Sequence, residues 1–132
     1  MSELSARFDM PLSEQAPRMA RRAVGAVLAG WGFGDEDWLD GARVVVSELI
    51  SNAVRHGDGC VELRVQAHGD RVIVSAADGS SVVPRRRRAD GTGGRGLALI
   101  EAFAPRWGVE DHEGGKRVWA QLPACPGWRS RQ

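Results

Sequence analysis

The chain has 132 residues, a formal net charge of +1 and 27% charged residues, enough for one domain with a hydrophobic core and no disulfide staples, and nothing in its charge calls for a nucleic acid or an anionic membrane as partner. No apolar run approaches the roughly 20 residues of a membrane span, and no basic-then-apolar signal segment opens the sequence. Cys60 and Cys125 lie far apart without metal-ligand spacing, so the expectation is a cytoplasmic protein with reduced thiols, in which residues 1–132 form a single domain.

Ser5 to Met10 alternates weakly and stops at Pro11, which predicts a short first strand at a sheet edge. From Gln15 to Ala29 the apolar residues Met19, Ala20, Ala23, Val24, Val27 and Leu28 recur with helical period, leaving Arg18, Arg21 and Arg22 away from the core. Gly30 to Gly34 breaks the helix. Asp35 can cap the next one, Glu36 and Asp37 suit the positive end of its dipole, and the pattern runs to His56. Val61, Leu63 and Val65 then alternate with Glu62, Arg64 and Gln66, and His68-Gly69-Asp70 turns the chain into Val72 to Ala77, a β-hairpin with one face in the core. Asp78 to Gly94 has no periodicity; a stretch of that length inside a compact domain is a functional lid or a disordered segment. Gly96 to Ala104 reads as a helix ended by Pro105, and Trp107 to Val109 with Val118 to Leu122 flank Gly114-Gly115 as a second hairpin. The tail from Ala124 has no pattern and is expected to fray. Hairpin-joined strands and amphipathic helices in this order predict an α/β, two-layer sandwich: helices on one face of a mixed, mainly antiparallel sheet.

The second helix carries the chemistry. Each residue advances about 100° on a helix, so Glu48, Asn52 and Arg55 form one stripe while Ala42, Val46, Leu49, Ile50 and Ala53 cover the opposite arc. A solvated face carries several compensating long charged pairs, whereas this stripe has one acid, one amide of poor helix propensity and one arginine. Taken alone, the stripe also fits a surface asparagine near a helix end, with Gly57 as the stop. Two later features stand beside it: Asp78 at the end of an apolar strand, and Gly93-Gly94-Arg95-Gly96 leading into a helix, where bare backbone N–H groups and the positive helix end favour a phosphate. The glycine run is not a P-loop, because no Lys-Ser or Lys-Thr follows it, and the long loop before it is unlike a dinucleotide-binding turn.

Glu48-x-x-x-Asn52-Ala53-x-x-His56-Gly57, then Asp78-Gly79, then Gly94-Arg95-Gly96-Leu97-Ala98-Leu99, together resemble the GHKL ATP-binding superfamily, and within it the anti-sigma-factor serine kinases and their actinobacterial relatives. The resemblance covers roughly residues 5 to 122. It implies the Bergerat, or histidine-kinase-like ATPase, fold, with ATP and Mg²⁺ held between helices and sheet beneath a lid. By the same resemblance Asp78, with Gly79 behind it, accepts a hydrogen bond from the adenine amine. Asn52 supplies the oxygen for Mg²⁺, and Glu48 is the base for a serine hydroxyl or for water. Thr92, Gly93, Gly94, Arg95, Gly96 and Leu97 surround the phosphates; Arg55 either offsets their charge or pairs with a neighbour. The implied function is an anti-sigma factor that phosphorylates an antagonist protein, with a sigma factor and that antagonist as partners and a homodimer as one state open to it. The alternative is a binding module that acts by sequestration alone.

The chain departs from the family pattern at two places. Ser80-Ser81-Val82 follows Asp78-Gly79 where a second glycine is usual, and Gly115-Lys116-Arg117 sets Arg117 where a threonine that helps hold adenine is expected. Arg85 to Arg88 lacks interleaved aromatics and reads as a solvated lid or a protein-docking patch rather than a nucleic-acid contact. His56 reads as a packing residue, because no second His or Cys has metal-ligand spacing.

Overall fold

The computed structural model describes residues 3–56, 59–79, 95–112 and 114–128. Strand β1, Glu3–Pro11, is followed by helices α1, Ala16–Gly30, and α2, Glu36–His56; then come strands β2, Cys60–His68, and β3, Arg71–Asp78, helix α3, Arg95–Phe103, and strands β4, Arg106–His112, and β5, Gly115–Gln121. The five strands form one sheet in the order β1-β2-β3-β5-β4. Every pairing is antiparallel; hairpins make β2–β3 and β4–β5 so, while β1–β2 and β3–β5 are joined through helices. The first strand lies at an edge as expected, and runs longer than its own alternation indicates because its register with β2 continues from Glu3 opposite His68 to Pro11 opposite Cys60.

Val61, Leu63, Val65, Val72, Val74, Ala76, Val118 and Ala120 are all buried, and their spacing of two puts them on one face of the sheet. Helix α2 covers that face, packing on β2, β3 and β5, with α1 and α3 against its flanks. Its buried arc contains Ala42, Val45, Val46, Leu49, Ile50 and Ala53, the arc the periodicity predicts. The start of α2 is fixed as the sequence suggests: the Trp38 amide donates to Asp35 Oδ1 at 2.9 Å. Helix α3 seats the Phe103 ring over Gly41, where any side chain would overlap it.

Two expectations are corrected. Met19 does not belong to the core stripe of α1: it is 51% exposed, while Ala16, Ala20, Val24 and Leu28 are buried. Spaced by four, these residues lie on one face of α1, the helix that packs on α2. The tail also does not fray at Ala124. Cys125 is buried, the Trp38 indole donates to the Pro123 carbonyl at 2.7 Å, and Trp128 stacks on Phe33 with ring centroids 5.4 Å apart. Both cysteines are unpaired. Among the described residues no helix is long and apolar enough to cross a membrane.

Candidate functional site

The stripe on α2 forms as its spacing predicts. Glu48 and Asn52 are half-buried and Arg55 is exposed, while Leu49, Ile50 and Ala53 between them are buried. The helix bearing this stripe packs against β3 and against α3, so the element that carries Glu48 and Asn52 borders both the strand that ends at Asp78 and the helix that opens at Arg95. Thr92, Gly93 and Gly94 lie outside the described residues, as do Ser80 and Arg85 to Arg88. Arg95, Gly96 and Leu97 form the opening turn of α3, whose backbone N–H groups have no partner within the helix itself. Gly79 is exposed directly after the strand.

Asp78 ends β3, and the two-residue period places its side chain on the helix-covered face with Val72, Val74 and Ala76. It is not open there. Lys116 stands directly opposite on β5, and its ammonium donates to Asp78 Oδ1 at 3.2 Å and Oδ2 at 3.1 Å. Both side chains are only 2% exposed. Gly115 sets this approach: a side chain there would overlap the Asp78 carbonyl oxygen and the Gly79 backbone.

Arg117, expected at the adenine site, is corrected. The strand alternates, so Lys116 shares the helix-covered face with Val118 and Ala120 while Arg117 emerges on the other one. There it donates to Ser75 Oγ at 2.9 Å and to Glu62 Oε1 at 3.0 Å, and Arg64 donates to the same Glu62 oxygen at 2.9 Å. Counting from a glycine motif misses this. Counting back by twos from the apolar Leu122, Ala120 and Val118 reaches Lys116, which is the signal that was available.

Among the described residues no group of three or more His, Cys, Asp or Glu could hold a metal ion. Asn52 would offer a cation here an amide oxygen, the rest of its shell coming from water and from oxygens of a ligand. That suits Mg²⁺, which keeps several waters and is commonly held through substrate phosphates. A second charged feature lies apart: Arg18, Arg21, Arg22 and Arg43 line one groove between α1 and α2, where Arg21 donates to Ser47 Oγ at 2.9 Å and Arg43 pairs with Asp40 at 3.0 Å.

The model of the histidine kinase-like ATPase domain matches residues 10–122. A crystal structure of the RsbU and RsbW domains of Rv1364c from Mycobacterium tuberculosis is similar in fold, with a TM-score of 0.67 and 19% identity over 98% of this chain. This chain spans 35% of that protein's length. No curated protein matches the sequence. The chain belongs to the histidine kinase-like ATPase domain family.

Proposed function

We propose that the protein binds Mg²⁺·ATP between α2, β3 and α3 and acts as an anti-sigma factor with serine/threonine kinase activity on an antagonist protein. The observation that carries this reading is the shared location of its parts: a carboxylate at the end of β3 on the helix-covered face of the sheet, beside a helix with a half-buried acid one turn before a half-buried amide. Asp78 is the acceptor for the exocyclic amine of adenine. Asn52 offers an amide oxygen to the cation, and the N–H groups opening α3 meet phosphate oxygens at a positive helix end. Mg²⁺, when bound, neutralises charge between the phosphates. Glu48 accepts the proton of the attacking hydroxyl, for which reach matters before pKa. A sigma factor and its antagonist as partners, and a cytoplasmic location, belong to the same proposal; the two unpaired cysteines support the latter.

The pairing of Asp78 with Lys116 favours a second reading, a module that regulates by sequestration without phosphoryl transfer. Glu48→Gln separates the two. It keeps size and hydrogen bonding, so ATP binding measured by calorimetry should persist. Transfer from labelled ATP to a partner serine should fall by about 10²–10⁴-fold, the usual contribution of a positioned base. A parent protein that binds ATP and transfers nothing to any candidate partner would favour sequestration.

A further inference from the structure

Of the eighteen Lys and Arg residues in the chain, Lys116 is the single lysine, and its side chain is 2% exposed against Asp78. Burying such a pair strips water from two charges, and an apolar residue of similar volume is often as good for stability or better. The neighbours on this face of β5, Val118 and Ala120, are apolar and buried, while a carboxylate stands opposite Lys116 on each adjoining strand, the buried Asp78 on β3 and the exposed Asp111 on β4; the ammonium goes to the buried one. A guanidinium fork is planar and wide, whereas a compact ammonium on a flexible stem can bring its charge to both oxygens of a carboxylate in a closed space. The close packing of Gly115 on the backbone of Asp78 and Gly79 holds the two strands so that the pair forms.

We infer that Lys116 is the residue that sets base selection in this site: its ammonium occupies the place on Asp78 where the exocyclic amine of a 6-aminopurine would donate, so adenine enters by displacing it. The inference rests on the reading of Asp78 as the base acceptor. The ammonium engages both carboxylate oxygens where the side chains are only 2% exposed, so an amine arriving at either oxygen gains only the difference between the two donors. A 6-oxopurine has a carbonyl in place of the amine and asks nothing of Asp78 there. It leaves the ammonium in position and can accept a hydrogen bond from it. The parent protein therefore discriminates poorly between adenosine and inosine triphosphates, and loss of the ammonium restores preference for the amine.

Calorimetry of ATP and inosine triphosphate, each with Mg²⁺, on the parent, Lys116→Met and Lys116→Gln tests this. Lys116→Met should bind ATP roughly 10- to 100-fold tighter, the worth of one charged hydrogen bond no longer broken, with inosine triphosphate unchanged or weaker. Lys116→Gln keeps a neutral donor for Asp78, protects the fold and should show a smaller gain; it decides the matter should the methionine variant not fold. ATP binding in the parent that neither replacement tightens overturns the role of Lys116 and leaves the ATP reading standing, as does an equal gain for both nucleotides. Absence of binding of either nucleotide to the parent and to both variants overturns the ATP reading, and this inference with it.

Discussion

Glu62 lies near the start of β2 on the sheet face that the helices leave open, within reach of Arg7, Arg64 and Arg117. Burial works against its charge, but the hydrogen bond from Arg117 and the charges of Arg64, Arg117 and Arg7 more than offset that and hold its carboxyl below the ordinary range. A depressed carboxyl contributes its full stability above the unfolded pKa, near 4.3, and loses it as pH falls through that value towards the folded one. Glu62→Gln should therefore cost stability at neutral pH and cost progressively less in acid. Urea denaturation at neutral pH and at about pH 3 should show the gap between parent and variant shrinking; a constant gap would mean that these ion pairs contribute nothing. Arg117→Met belongs to the same cluster and should cost about 1–2 kcal/mol, since Glu62 and Ser75 each lose a partner. Its ATP affinity should stay within about twofold of the parent, because the side chain lies across the sheet from the site. A larger loss would return Arg117 to the nucleotide. The stripe of Glu48 and Asn52 was legible in the sequence because helical period alone fixes a face. The identity of the residue facing Asp78 was not, because a shift of one position in a strand exchanges the two faces and a short motif does not fix the count.

At the level of elements, periodicity carried most of the fold. The cap at Asp35, the core arc of α2 and both hairpins follow from local chemistry, and each survives in the three-dimensional arrangement. Close approaches between elements leave no such mark, because a glycine needed for space and one needed for a turn are the same letter. Gly114 and Gly115 show the difference. Gly114 has a φ of +82° and nothing within 4 Å of where a side chain would start, whereas at Gly115 that atom would overlap backbone of Asp78 and Gly79. Gly114→Ala should cost about 1–2 kcal/mol through its left-handed backbone alone. Gly115→Ala should cost about 2–4 kcal/mol, because backbone atoms have no rotamer by which to retreat. It should also part β5 from β3 at Asp78, so that ATP affinity changes in this variant and not in the other. Thermal melts with calorimetry on the two proteins make the comparison, and equal behaviour would remove Gly115 from any role in shaping the site.

For the molecule as a whole, the segment after Pro123 decides how the N-terminal half of α2 is held. It has no period to read, and its anchoring comes from single residues spaced irregularly: Cys125 buried, Trp128 stacked on Phe33, and Phe33 stacked in turn on Trp38 with centroids 5.4 Å apart. The Trp38 indole closes the arrangement on the Pro123 carbonyl at 2.7 Å. Trp128→Ala should destabilise the protein by about 2–3 kcal/mol, less than a fully buried tryptophan because the ring is half-exposed. Combined with Phe33→Leu it should show a coupling of about 0.5–1.5 kcal/mol, the usual worth of an aromatic pair beyond its buried area. Trp38 and Glu48 are about 15 Å apart along the helix axis at 1.5 Å per residue, so the loss should be global and leave nucleotide affinity unchanged under conditions where both proteins stay folded. An ATP affinity that falls along with stability in Trp128→Ala would show instead that the tail clamps α2 in the position the site requires, and the anchoring of Trp38 would then have to be counted among the determinants of binding.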